Sequence, residues 1–271
     1  MKEKIKYIVI SVIVILLMII ATSNDLDIAK KIYNPDMKWA HVFKVVGEFP
    51  VYLGLLLFGV TYYHLATKKI YKNLLTVEVF VSSFLFIFMP ARYVFNINVL
   101  SVGIIFLIST GLFFSIMKLS YKVDNKIYDK IKTVTLIYFI GVLVQLLVVY
   151  SMKLCWSRVR FLELENVSDF TRWYVINWFD GTGTSFPSGH TSGATNIMYL
   201  TLFTPLFTDD KKKHILVESL CFIFIFITGL SRLMLGKHYL SDVTGAFAIT
   251  YFIHIIVAKS IKDRQKINKG I

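Results

Sequence analysis

Cysteine is almost missing from this chain. Cys155 and Cys221 are the only two among 271 residues, too few and too poorly placed for a disulfide framework or a zinc cluster. No outward set of carboxylates and histidines recurs at metal-ligand spacing either, so no cofactor is expected. Acidic residues are scarce, 17 against 30 Lys and Arg. In a soluble protein the resulting charge of +13 would suggest nucleic acid. Here the basic residues stand in short clusters between apolar runs, and they do not interleave with aromatics on a soluble surface. No nucleic-acid partner is expected. Internal repeats and low-complexity linkers are absent too, so the chain reads as a single membrane domain over residues 1–271.

What is present is apolar. Hydrophobic residues make up 56% of the chain and aromatics 15%, more than a soluble domain of this length needs. A spanning helix takes about 20 apolar residues, and eight runs qualify: 7–22, 45–66, 74–90, 97–118, 131–152, 189–208, 214–233 and 239–258. The fold class is therefore all-α, a polytopic integral membrane protein. The first run lies behind Lys2, Lys4 and Lys6 and ends in Ala21-Thr22-Ser23. That leaves two readings, a retained anchor or a cleaved signal peptide, and the length of the run favours the anchor.

Cytoplasmic segments retain positive charge. With the N-terminus inside, the segments around Lys2–Lys6, Lys68–Lys72, Lys118–Lys132, Lys211–Lys213 and Lys259–Lys269 hold 19 of the 30 cations, which places both termini in the cytoplasm. Glu78 and Glu218 fall near cytoplasmic span ends, where their side chains can snorkel. The longest connection, 153–188, lies outside and carries Trp156, Phe161, Phe170, Trp173, Tyr174, Trp178 and Phe179. Such aromatics favour the headgroup layer, either as a plain anchoring belt or as a lipid-facing entrance. Ser168 is placed to cap a short interfacial helix running through Trp178.

Three segments carry chemistry, and all fall at outer span ends. In the first, Lys153 and Arg160 are seven residues apart, nearly two helical turns, and share a face if the fifth span continues outward. Arg158 would then point away into solvent or headgroups. In the second, Pro187-Ser188-Gly189-His190 opens a helix whose free N–H groups and positive dipole end suit phosphate oxygens. In the third, Ser231-Arg232 leads through Gly236 to His238, with Asp242 four residues on. That spacing lets a carboxylate fix the imidazole tautomer and support attack on phosphorus. Each segment alone has a plainer reading: an interfacial cation pair, a capped helix start, a structural His-Asp pair. Together they offer a nucleophile, an orienting acid, a proton donor and fixed positive charge, the parts that phosphoryl transfer needs.

With these residues the sequence resembles the type-2 phosphatidic acid phosphatase superfamily, whose pattern is Lys-(six)-Arg-Pro, Pro-Ser-Gly-His and Ser-Arg-(five)-His-(three)-Asp. The second and third parts match in full. The first has Phe161 where the family has proline. The resemblance is strongest over 97–258 and implies a six-helix core working without a metal cofactor, preceded here by two more spans than usual or by one run wrongly taken as a span. It implies that His238 attacks phosphorus, Asp242 orients it and His190 protonates the leaving oxygen. Lys153, Arg160, Ser188, Gly189 and Arg232 would hold the phosphate. Lipid phosphates are the implied partners: phosphatidic acid, phosphatidylglycerol phosphate, sphingoid phosphates, or polyprenyl diphosphates such as undecaprenyl diphosphate. A lipid phosphotransferase would use the same residues, because a covalent intermediate does not specify its acceptor. A transporter or flippase would instead show broken helices and polar residues at mid-membrane.

The charge asymmetry generates a topology test. Single cysteines introduced within 161–186 should react with an impermeant reagent in intact cells, and those within 119–130 or 209–213 should not. Protection of the 161–186 loop would overturn an outward-facing site.

Overall fold

The computed structural model describes residues 2–268, and among these no strand occurs. The helices are α1 (Lys2–Ile32), α2 (Lys38–Val46), α3 (Phe49–Leu65), α4 (Lys69–Ala91), α5 (Val99–Ser120), α6 (Asn125–Trp156), α7 (Gly189–Thr195), α8 (Thr204–Phe207), α9 (Lys211–Met234) and α10 (Leu240–Asn268). Seven stretches of described residues are helical, long and apolar enough to cross a membrane. The protein is an all-α multi-pass membrane protein.

Three expected spans take a different form. The first helix does not stop at residue 22 but runs unbroken to Ile32, so Asp25 and Asp27 remain helical. The second begins earlier, at Lys38, with a break between α2 and α3 at Gly47 and Glu48. The run 189–208 is not one helix: α7 gives way to a 3-10 segment, Asn196–Leu202, and then to α8. Its sequence explains this. Ser192 donates to the carbonyl of Gly189 at 2.9 Å, Thr195 to Thr191 at 2.7 Å and Thr201 to Met198 at 2.7 Å. Hydroxyls bonding back to carbonyls three or four residues earlier compete with the helical ladder and bend it.

The chain packs as two compact units. In the unit made of Glu48–Leu143, Asn196–Phe222 and His254–Ile271, α3 lies on α4 and α4 on α5. Its centre is aromatic: Tyr138 is fully buried, stacks on Tyr199 at 4.8 Å and donates to the carbonyl of Pro50 at 2.6 Å. Glu78 does not snorkel here; its Oε1 accepts from Ser82 at 2.7 Å and its carboxylate lies against Gly59.

The unit made of Met1–Gly47, Val144–Thr195 and Ile223–Ile253 contains all three motif segments. Its long loop forms no helix from Ser168 to Trp178. Instead there are 3-10 turns at Phe161–Glu163 and Val167–Asp169, the second closed by a capping box between Asn166 and Asp169. Trp156 Nε1 donates to the carbonyl of Trp173 at 2.5 Å, and Trp173 Nε1 to Thr22 Oγ1 at 3.0 Å, which ties the loop to α1. Tyr174, Trp178 and Phe179 are exposed. Near its end the loop lies so close to residue 158 that a Cβ on Gly183 would stand 2.2 Å from the carbonyl oxygen of Arg158.

That contact separates two glycines. Gly183→Ala should lower stability by about 1–3 kcal/mol, the usual cost of overpacking a closed site, measured as a fall in thermal midpoint in detergent. Gly103→Ala in α5, with nothing within 4 Å of its Cβ position, should leave the midpoint unchanged or slightly raised. Equal effects at both positions would contradict the packing described.

Candidate active site

Helix α6 ends at Trp156 because Ser157 turns to a positive φ of 44° while its N–H still donates to the carbonyl of Lys153 at 3.0 Å. Arg160 is therefore outside the helix, and the expected shared face with Lys153 does not form. The two cations meet by another route. The chain returns alongside 157–158, with Thr182 Oγ1 donating to the carbonyl of Ser157 at 2.6 Å and Ser185 N to that of Arg158 at 2.8 Å. Lys153 Nζ then donates to the carbonyl of Thr184 at 2.5 Å, and Arg160 Nη2 to its hydroxyl at 2.8 Å. Phe161, at the family's proline position, opens the 3-10 turn. Its ring lies 5.4 Å from that of Tyr33 and 6.4 Å from that of Tyr239.

Thr184 leads directly into the second motif. Ser188 caps α7, its Oγ accepting from the backbone N of Thr191 at 3.3 Å, as a cap serine does. Its own N–H donates to the backbone carbonyl of Asp242 at 3.0 Å, which joins the second and third segments. His190 is 8% exposed, with Nε2 3.1 Å from the carbonyl of Lys44 on α2. A carbonyl only accepts, so Nε2 carries the proton in that contact.

The third segment closes the site. Helix α9 ends near Arg232, and Gly236 makes the turn at a φ of +63°, a conformation that suits glycine. His238 follows and Asp242 sits in the first turn of α10. His238 is 4% exposed, with Nδ1 3.5 Å from Asp242 Oδ2. That is ion-pair range, longer than a well-formed hydrogen bond. Asp242 is fully buried and already well supplied with donors: Arg158 Nη1 at 2.7 Å, Ser185 Oγ at 2.5 Å and Tyr239 N at 2.9 Å. Burial pushes the His238 imidazole down to about 3, against the pull of Asp242 and with help from the charges of Lys153 and Arg232. Lys237 is lowered as well, first by burial and then by the charge of Arg160.

Arg158 overturns its expected position. It is 1% exposed, not solvated, and bridges Asp242 to Asp25 of α1, with Nη2 3.0 Å from Asp25 Oδ2. Helix-face arithmetic failed because there is no helix at 158. Asp25 was not singled out in the sequence at all. The available signal was an acid within the same helix as an apolar run, which is costly in a membrane without a partner. Among the described residues no three His, Cys, Asp or Glu side chains are grouped to hold a metal ion.

Residues 134–266 match the family model described as the PAP2 superfamily. This part of the chain belongs to the PAP2 superfamily. Membership agrees with the resemblance carried by the motifs and implies phosphatase activity on phosphate esters. No curated protein and no solved structure matches the chain.

The depressed His238 sets a pH dependence of stability. Unfolded, the ring takes a proton below about 6.5; folded, it stays neutral down to about 3. Its contribution is thus fully present above 6.5 and lost as pH falls through that window, by at most about 1.4 kcal/mol per pH unit. Thermal midpoints between pH 7.5 and 5 should fall less steeply in His238→Gln than in the wild type. Identical slopes would show that His238 is not held neutral.

Proposed function

We propose that this PAP2 superfamily protein is a lipid phosphatase working through a phosphohistidine at His238, with its site on the non-cytoplasmic face. The observation that carries the reading is His238 itself: a buried, neutral imidazole with Nδ1 turned to Asp242, so that Nε2 on the far side of the ring is the attacking nitrogen. The Nε2 lone pair forms the N–P bond as the P–O bond to the lipid oxygen breaks, and His190 gives that oxygen its proton. Asp242 supports the imidazolium that forms. Water then attacks phosphorus, the N–P bond breaks, the proton returns to His190, and inorganic phosphate leaves. Lys153, Arg160 and Arg232, with the α7 start at Ser188 and Gly189, hold the equatorial oxygens. No metal is required by this scheme.

A lipid substrate is supported by the membrane setting and by the exposed Tyr174, Trp178 and Phe179 on the loop that leads into the site. Aromatics of this kind settle at headgroup depth. Both a phosphate monoester and a polyprenyl diphosphate such as undecaprenyl diphosphate fit the chemistry. Lys44 and Lys237, beside the motif cations, suit the additional charge of a diphosphate. The outward face and cytoplasmic termini rest on the lysine-rich loops, with the broken 189–208 segment counted as a crossing.

One observation favours a second reading. The break at Asn196, with Thr191, Ser192, Thr195 and Asn196 all buried, is the kind of interrupted helix a transporter uses. Catalytic turnover separates the two. Purified protein in detergent and EDTA, given a panel of lipid phosphates with water as the sole acceptor, should release inorganic phosphate and trap acid-labile label. His238→Ala should abolish both. His190→Ala should slow release by about 100- to 10,000-fold, and far less for a leaving group that needs no proton. Label retained in His238→Ala but lost in His190→Ala would reverse the two roles. A need for an acceptor other than water would make the protein a transferase, and no turnover at all would leave transport.

A further inference from the structure

Helix α1 brings to the site a carboxylate that none of the three motif segments contains. Asp25 is 3% exposed. It accepts from Arg158 Nη2 and from the backbone N of Ser241, each at 3.0 Å, and from the Ser241 hydroxyl. The same guanidinium gives Nη1 to Asp242 at 2.7 Å and to Ser241 Oγ at 2.8 Å, and Nε to the carbonyl of Thr171 at 2.8 Å. Its flat face lies 4.2 Å from the ring centre of Tyr239 and 5.3 Å from that of Phe170, so it is sealed from solvent as well as paired.

One cation therefore serves two buried carboxylates. Asp25 and Asp242 carry two negative charges, Arg158 one positive charge, and neutral His238 none. Within this cluster the balance is negative, so part of the Asp242 charge is left to face an imidazolium developing on His238, against the charges of Lys153 and Arg232 that also act on that ring. Were Asp25 neutral, Arg158 would cancel Asp242 alone, and the carboxylate beside His238 would face a fixed cation in place of the developing one. In a water-excluded site such a difference weighs far more than in solvent.

We infer that Asp25, seated by Ser241 and acting through Arg158, is a positioning residue that keeps the charge of Asp242 available to His238. This makes the outer end of α1 a working part of the site. The inference rests on the reading of His238 as the nucleophile.

Steady-state and single-turnover hydrolysis of phosphatidic acid in mixed detergent micelles tests it, with rate constants taken per folded protein, measured as the monodisperse fraction on size exclusion, so that they do not depend on how much of a variant folds. Asp25→Asn should lower kcat by about 10- to 100-fold, the range seen when the outer partner of a metal-bound histidine is lost. KM should stay within about threefold, because the effect belongs to the transition state. In an Arg158→Gln background, Asp25→Asn should add nothing further, since the charge it acts through is gone. A kcat within about twofold of wild type, a loss confined to KM, or full additivity in the double variant would each overturn the inference. A wild-type protein that forms no phosphoenzyme would overturn the proposed mechanism and this inference with it, whereas an active wild type indifferent to Asp25→Asn would overturn the inference alone.

Discussion

A guanidinium without solvent must be matched by acids, and at Arg158 two are supplied, one from each end of the chain. Removing one partner of such a buried pair typically costs about 3–5 kcal/mol, because an uncompensated charge is left behind. The arrangement around Arg158 therefore fixes where α1, α10 and the long loop can stand. Asp25 pulls in the end of α1, Asp242 the start of α10, and the carbonyl of Thr171 the middle of the loop. Ser185, bonded at once to Asp242 and to the backbone of Arg158, draws the approach to the second motif into the same cluster.

From that anchor the rest of the site follows as a matter of reach. With Ser185 held, Thr184 is presented to Lys153 and Arg160 together, and Ser188 is close enough to bond the backbone of Asp242. His238 stands just before α10 with Nδ1 3.5 Å from Asp242 Oδ2, and His190 is steadied by the carbonyl of Lys44. Two histidines among fixed cations, beside an Asp242 carboxylate already bonded by three donors, form a rigid electrostatic frame. A frame of this kind suits an anion better than a neutral ligand, because its dipoles and charges need no rearrangement to receive one.

Membership of the PAP2 superfamily covers the half of the chain that carries the motifs. The helices before it are not ornament in this structure. Helix α1 supplies Asp25 and, through Thr22, a partner for Trp173; α2 supplies the carbonyl that meets His190. Phe161, where the family has proline, is likewise accommodated by this part of the chain, packing against Tyr33 just beyond α1.

The sequence by itself determined the class and most of the span pattern, since long apolar runs leave little choice in a bilayer, where every backbone group must be bonded internally. The nearness of His238 and Asp242 was also legible in their spacing, although α10 begins only at Leu240 and the two meet across its start, where Asp242 Oδ2 also accepts from Tyr239 N. Spacing arithmetic reached no further than the helix it assumed. Past Trp156 there is none, so the faces of Arg158 and Arg160 had to be decided by a loop that doubles back. The break at Asn196 was hidden in hydroxyls whose bonding choice depends on their surroundings. Asp25 and Arg158 lie 133 residues apart, and no periodicity links them. Only tertiary packing decided that pairing, because a buried charge selects its partner by proximity in the folded chain and not along it.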